Sequence, residues 1–77
     1  MRETIHVVQP FDRQKRGGLI PRMAAQRATG QEAASLAQRL AGQHAGVVAY
    51  SMEVDEEAGD YSDPRVLFTA GEVPELG

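Results

Sequence analysis

The sequence contains no cysteine and no tryptophan, and only 5% of its 77 residues are aromatic. Without cysteine there is no disulfide, no thiolate metal site and no thiol nucleophile, and a reducing, cytoplasmic compartment is the expectation. No apolar run approaches the ~20 residues of a membrane-spanning helix, and the stretch from Met1 to Gln14 lacks the apolar core of a secretory signal. No membrane partner is therefore expected. The scarcity of aromatics also leaves little for stacking nucleic-acid bases. A chain this short makes one small domain, in which a single layer of side chains supplies most of the buried area.

What the sequence does have is charge of both signs, unevenly placed. The net charge is −3. Residues 1–45 hold seven basic groups (Arg2, Arg13, Lys15, Arg16, Arg22, Arg27, Arg39) against three acidic ones, a balance of +4. Residues 46–77 hold one basic group, Arg65, against eight acidic ones, a balance of −7. Such a split steers two copies of a chain together, or directs different partners to its two ends.

Thr4 to Phe11 is rich in β-branched residues, with Ile5 and Val7 on one side and His6 and Val8 on the other, and reads as a strand ending near Pro10 or lying at an edge there. Asp12 to Gly18 carries the consecutive glycines of a turn. The returning segment Leu19 to Gln26, interrupted by Pro21, is expected as a short irregular edge strand. Thr29 followed by Glu32 is a capping box, and Ala33, Leu36, Ala37, Leu40 and Ala41 then recur at the spacing of one buried helix face. The helix is expected from Gly30 to about Gln43, ended by Gly42 or Gly46. Gly46 to Val54 alternates as a strand, Asp55 to Asp63 is an acidic connection with a Gly59-Asp60 turn, and Arg65 to Ala70 is a second strand. The expected fold class is α+β in ββαββ order, a small antiparallel sheet with one helix packed on one face. It forms a single domain over residues 1–71, with 72–77 a loosely held tail.

One helix cannot cover both faces of such a sheet. The alternation places Val8, Val47, Ala49 and Leu67 on the face expected to stay open, more apolar than a water-facing surface should be. The expectation is a homodimer, or another protein partner, held through that face.

Catalytic chemistry finds little support. His6 and His44 lie on different elements, and no Gly-x-Ser-x-Gly elbow surrounds Ser51 or Ser62. The reading is non-enzymatic, with no cofactor. Asp55, Glu56, Glu57, Asp60 and Asp63 gather carboxylates, but their spacing does not match an EF-hand loop, and a solvated acidic loop without metal is expected. The alternative function is nucleic-acid binding by the basic first hairpin through Arg13, Lys15 and Arg16, opposed by a pI near 5.2 and by the acidic second half.

The run Gly46-Val47-Val48-Ala49-Tyr50-Ser51, followed by Gly59-Asp60, Asp63-Pro64, Val66-Leu67 and Gly71-Glu72-Val73-Pro74, resembles a group of short uncharacterised bacterial proteins. That resemblance implies a free-standing small bacterial protein and carries over no functional residue.

Overall fold

The structure, a computed structural model, describes residues 2–74. The elements are β1 (Arg2–Arg13), β2 (Leu19–Pro21), β3 (Ala25–Arg27), α1 (Gly30–Leu40), β4 (Gly46–Asp55), β5 (Asp60–Tyr61) and β6 (Arg65–Gly71). All strands pair antiparallel in one six-stranded sheet that curls into a half-barrel, with the helix packed on one face. This is the α+β fold expected from the sequence, with each outer strand divided in two. β2 and β3 follow one another along the outer edge of β1, while β5 and β6 do the same along β4.

The spine is the β1–β4 pair, aligned without a break from Arg2↔Asp55 to Phe11↔Gly46. β1 runs straight through Pro10. The Pro10 carbonyl accepts from the Arg22 amide at 2.9 Å, so this residue turns its backbone toward the outer edge. Its missing N–H falls opposite the gap between β2 and β3, where no ladder bond is lost. The hairpin after β1 turns on Gly17 and Gly18, at φ of 85° and 82°. The Thr29 hydroxyl caps α1 by accepting from the Glu32 amide at 3.1 Å. The helix stops at Leu40, short of Gln43, and neither Gly42 nor Gly46 adopts a left-handed conformation to end it. The cap is Ala41, still right-handed, with its amide bonded to the Ala37 carbonyl.

Residues paired across antiparallel strands share a face. On one face lie Val8, Pro10, Val47, Ala49, Phe68 and Ala70; on the other lie Ile5, Val7, Phe11, Val48, Tyr50 and Met52. The helix covers the first face. Val8, Val47 and Ala49 join Ala33 and Ala37 in a core fully shielded from solvent, bordered by Leu36, Leu40, Phe68 and Ala70. This reverses the sequence-based assignment of Val8, Val47 and Ala49 to the open side. The physical reason is side-chain size: a helix faced with alanine has little reach and must lie close, and valine, alanine and proline permit that approach. Tyr50, Met52 and Ile5 would hold it away. Leu67, the fourth residue of that expected surface, sits at a β-bulge and is 37% exposed. Its Cδ1 would lie 3.2 Å from a Cβ built on Gly30, so it flanks the start of the helix and does not belong to the opposite face.

The chain end is tied down as far as it is described. Gly71, at φ of 69°, turns the backbone across the helix-free face, and the Glu72 amide bonds to the Ala45 carbonyl at 3.0 Å. Any Cβ at Gly46 would collide with the Glu72 backbone, which places residue 72 directly over that end of the face. The Glu72 carboxylate also pairs with Arg13. Residue 72 thus belongs to the folded part where a loose tail was expected, and residues 75–77 lie outside the described residues.

Candidate functional site

Two polar clusters and one apolar surface are candidates. The first cluster lies where α1 stops covering its face of the sheet. Beyond Val8 and Ala49 the same face continues as His6 and Ser51, then Thr4 and Glu53, then Arg2 and Asp55. The change from apolar to polar coincides with the helix start: a Cβ at Gly30 would lie 3.7 Å from both His6 Nδ1 and Ser51 Oγ. His6 Nδ1 and Ser51 Oγ are themselves hydrogen-bonded at 2.6 Å, half-buried. Beside them opens a polar hollow of about 350 Å³, lined by Thr4, Ser51, Glu53, Ser62, Asp63 and Arg65. A serine–histidine pair becomes a nucleophile–base pair when a carboxylate orients the ring. The nearest acid on this strand face, Glu53, is instead paired with Arg2 at 3.2 Å. As arranged, the His6–Ser51 bond satisfies two polar groups beneath the helix N-terminus and pins β1 to β4.

The second cluster joins β1 to the segment after α1. Asp12 accepts from Arg22 Nε at 2.7 Å and lies 3.1 and 3.2 Å from His44 Nδ1 through its two oxygens. The Arg22 bond holds the Asp12 carboxyl below its ordinary value; the His44 bond and charge and the Ala45 amide act in the same direction, and partial burial opposes them. His44 thereby ties the segment after α1 to the β1–β2 hairpin.

The basic residues of the first hairpin divide in two. Arg13 is neutralised by Glu72 and Arg22 by Asp12, while Lys15 and Arg16 stand exposed on the turn. The acidic turn after β4 sits at the far end of the molecule, with Asp55 and Asp60 paired across β4 and β5. Among the described residues, no group of three histidines or acids is placed to hold a metal ion. No helix of the described residues is long and apolar enough to cross a membrane.

The apolar surface is the helix-free face. Its Gly46 end lies under the chain segment that follows Gly71, and Val7, Phe11 and Val48 are already buried within the single chain. Toward the Val54 end no described residue covers it. Ile5, Tyr50, Met52 and Val54 are half-buried there, Val66 is 49% exposed, and Tyr61 is 67% exposed. No family model, curated protein or solved structure matches this chain. The site must therefore be read from its own chemistry. Alternation along Thr4–Phe11 and Gly46–Val54 separates Ile5, Tyr50, Met52 and Val54 from Val8, Val47 and Ala49, as the β1–β4 register does; Tyr61 and Val66 join the first group through β5 and the bulge in β6. Comparing side-chain volumes on the two faces is the signal that would have assigned the helix to the right one.

Proposed function

We propose that this protein is a small non-enzymatic interaction module that binds a protein partner through the open part of its helix-free sheet face. One observation carries the reading. The helix-bearing face turns polar where the helix ends, as a solvated surface should, whereas the opposite face stays mostly apolar over the same rows, broken only at its β1 and β3 side by Glu3, opposite Val54, and Gln26, opposite Val7. There Ile5, Met52, Tyr50, Val54, Tyr61 and Val66 occupy the rows that hold Thr4, His6, Ser51 and Glu53 on the first face. A largely apolar patch with polar residues at its margin, opposite a polar face, is the pattern of an interaction surface.

The sheet edges favour a face over strand addition. β2 and β3 have three residues each, with Pro21 in the first, and β6 carries a bulge at Leu67 and a left-handed glycine at 71. These features interrupt the regular row of backbone groups that an added strand requires. The alternative, a nucleic-acid contact through the basic hairpin, has weaker support, because Arg13 and Arg22 spend their charge on Glu72 and Asp12. The short bacterial proteins that the second half resembles suggest the same free-standing domain without adding a function.

Site-specific photo-cross-linking tests the reading. A photoreactive residue at Val66, on the open patch, should yield protein adducts in cells, and one at Ser35, on the outer face of α1, should not. Equal yields from the two positions would refute it.

A further inference from the structure

The charges that border the open patch are of one sign. Glu3 lies on the same face, opposite Val54, and Glu56 and Glu57 stand exposed on the turn that follows Val54 and Asp55. The two arginines at this end belong to the other face: Arg2 is paired with Glu53, and Arg65 stands beside Ser51. Among the described residues, no lysine or arginine lies on the patch's side of the sheet at this end. At the opposite end Arg13 is already paired with Glu72. We propose that the partner of this patch is an amphipathic helix of another protein, its apolar side bordered by lysines and arginines. This rests on the interaction reading above and names its occupant.

Backbone chemistry selects a helix. A chain laid on the face of a sheet finds no backbone partner there, because the amides and carbonyls of β1 and β4 are engaged in the plane of the sheet. It must satisfy its own backbone groups, and a helix does so, as α1 does on the opposite face. The dimensions agree. The patch runs about 14 Å along β4 from Tyr50 to Val54, at ~3.4 Å per residue, and about 10 Å across from Ile5 to Val66 and Tyr61, at ~4.8 Å between strands. A helix is about 10 Å wide and rises ~1.5 Å per residue, so about nine residues cover that length. Its apolar side chains at i, i+3 or i+4, and i+7 then meet Ile5, Tyr50, Met52 and Val66.

Charge decides among the occupants. Cations flanking those apolar positions meet Glu3 at one side of the patch and Glu56 and Glu57 at its end, which speeds encounter and fixes the register. A second copy brings the same acidic border and no cation to set against it, and an anionic lipid surface is repelled by it. The buried area falls below the ~1,200 Å² of a stable interface, so the complex is weak and sensitive to salt.

The test titrates the full chain against two fluorescent peptides of about 15 residues, one with leucines along one helix face and lysines on the other, the second with glutamate in place of every lysine. Followed by anisotropy at about 20 mM salt, the lysine peptide should bind at least tenfold tighter than the glutamate peptide, and its own affinity should fall at least tenfold at about 500 mM. Val66→Lys on the patch should weaken lysine-peptide binding at least fivefold. Ser35→Lys on the outer face of α1 changes the net charge equally and should weaken it less than twofold. Glu56→Lys with Glu57→Lys should weaken binding and flatten its salt dependence. All four positions are exposed, and circular dichroism checks that each variant is folded. Equal affinity for the two peptides, equal losses from Val66→Lys and Ser35→Lys, or co-sedimentation of the chain with phosphatidylglycerol vesicles would overturn the proposal. Sequencing the Val66 photo-adduct separates this proposal from the reading beneath it. An adduct with an acidic segment or with a second copy leaves the interaction reading standing and removes the basic helix, whereas no adduct at all removes both.

Discussion

Replacing Gly46 with alanine should destabilise the fold far more than one methyl group ordinarily does. The new Cβ would lie 2.5 Å from the Glu72 carbonyl carbon and 2.9 Å from its amide nitrogen, both backbone atoms, with the carbonyl oxygen closer still. Residue 72 must move away. Its amide then loses the 3.0 Å bond to the Ala45 carbonyl, which contributes about 1 kcal/mol. Forcing an atom into an occupied site adds about 1–3 kcal/mol. The sum of about 2–4 kcal/mol compares with a total of roughly 4–12 kcal/mol for a domain of this length. At ~4–8 °C per kcal/mol, the melting temperature should fall by roughly 10–25 °C. Gly42→Ala is the control: nothing lies within 4 Å of its Cβ position and its φ is not positive. It should be neutral, or stabilising by up to about 1 kcal/mol. Urea melts followed by circular dichroism read both variants. A Gly46→Ala protein within about 0.5 kcal/mol of wild type would show that the chain end does not cross the sheet as described.

Three further outcomes follow from the same structure. Ala49→Glu buries an unpaired charge beneath the helix, at a cost of several kcal/mol, and should leave the chain largely unfolded by circular dichroism. Val66→Glu on the opposite face should stay folded, within about 1 kcal/mol of wild type; the reverse ranking would mean that the helix covers the other side. Thr29→Ala removes the helix cap and should cost about 1 kcal/mol in a urea melt, with an unchanged midpoint contradicting the Thr29–Glu32 bond. Asp12 has a lowered pKa in the fold, so its contribution is fully present above about pH 3.8 and fades as pH falls through that value toward the folded one. The stability gap between wild type and Asp12→Asn should shrink correspondingly in acid, and a gap constant from pH 6 to about pH 3 would exclude Asp12 as a native-state ion partner.

The local signals in this sequence were largely legible, because they depend on residues close together in the chain. Thr29 and Glu32 marked the helix start, Gly17-Gly18 and Gly59 marked turns, and the Gly46–Val54 alternation separated two faces correctly. The division of the second strand around residues 22–24 was anticipated as irregularity near Pro21. What escaped were long-range choices. Which face receives the helix depends on the combined volumes of side chains from β1, β4 and β6, and no single segment displays that sum. The covering of Gly46 by Glu72 depends on where the chain travels after Gly71. The Asp12–His44 and His6–Ser51 pairs join residues more than thirty positions apart, and their spacing carries no trace of the contact. The end-to-end charge separation was visible as a sequence imbalance, but it became directional only with the β1–β4 register.

The most direct measurement exploits the absence of cysteine. Single substitutions Val66→Cys on the open patch and Ser35→Cys on the outer helix face give two uniquely reactive thiols. Their alkylation rates can be compared in the purified protein and in cells. The account predicts that the rate at position 66 relative to that at position 35 falls several-fold in cells, where the partner covers the patch. An unchanged ratio, or protection at 35 instead, would contradict it.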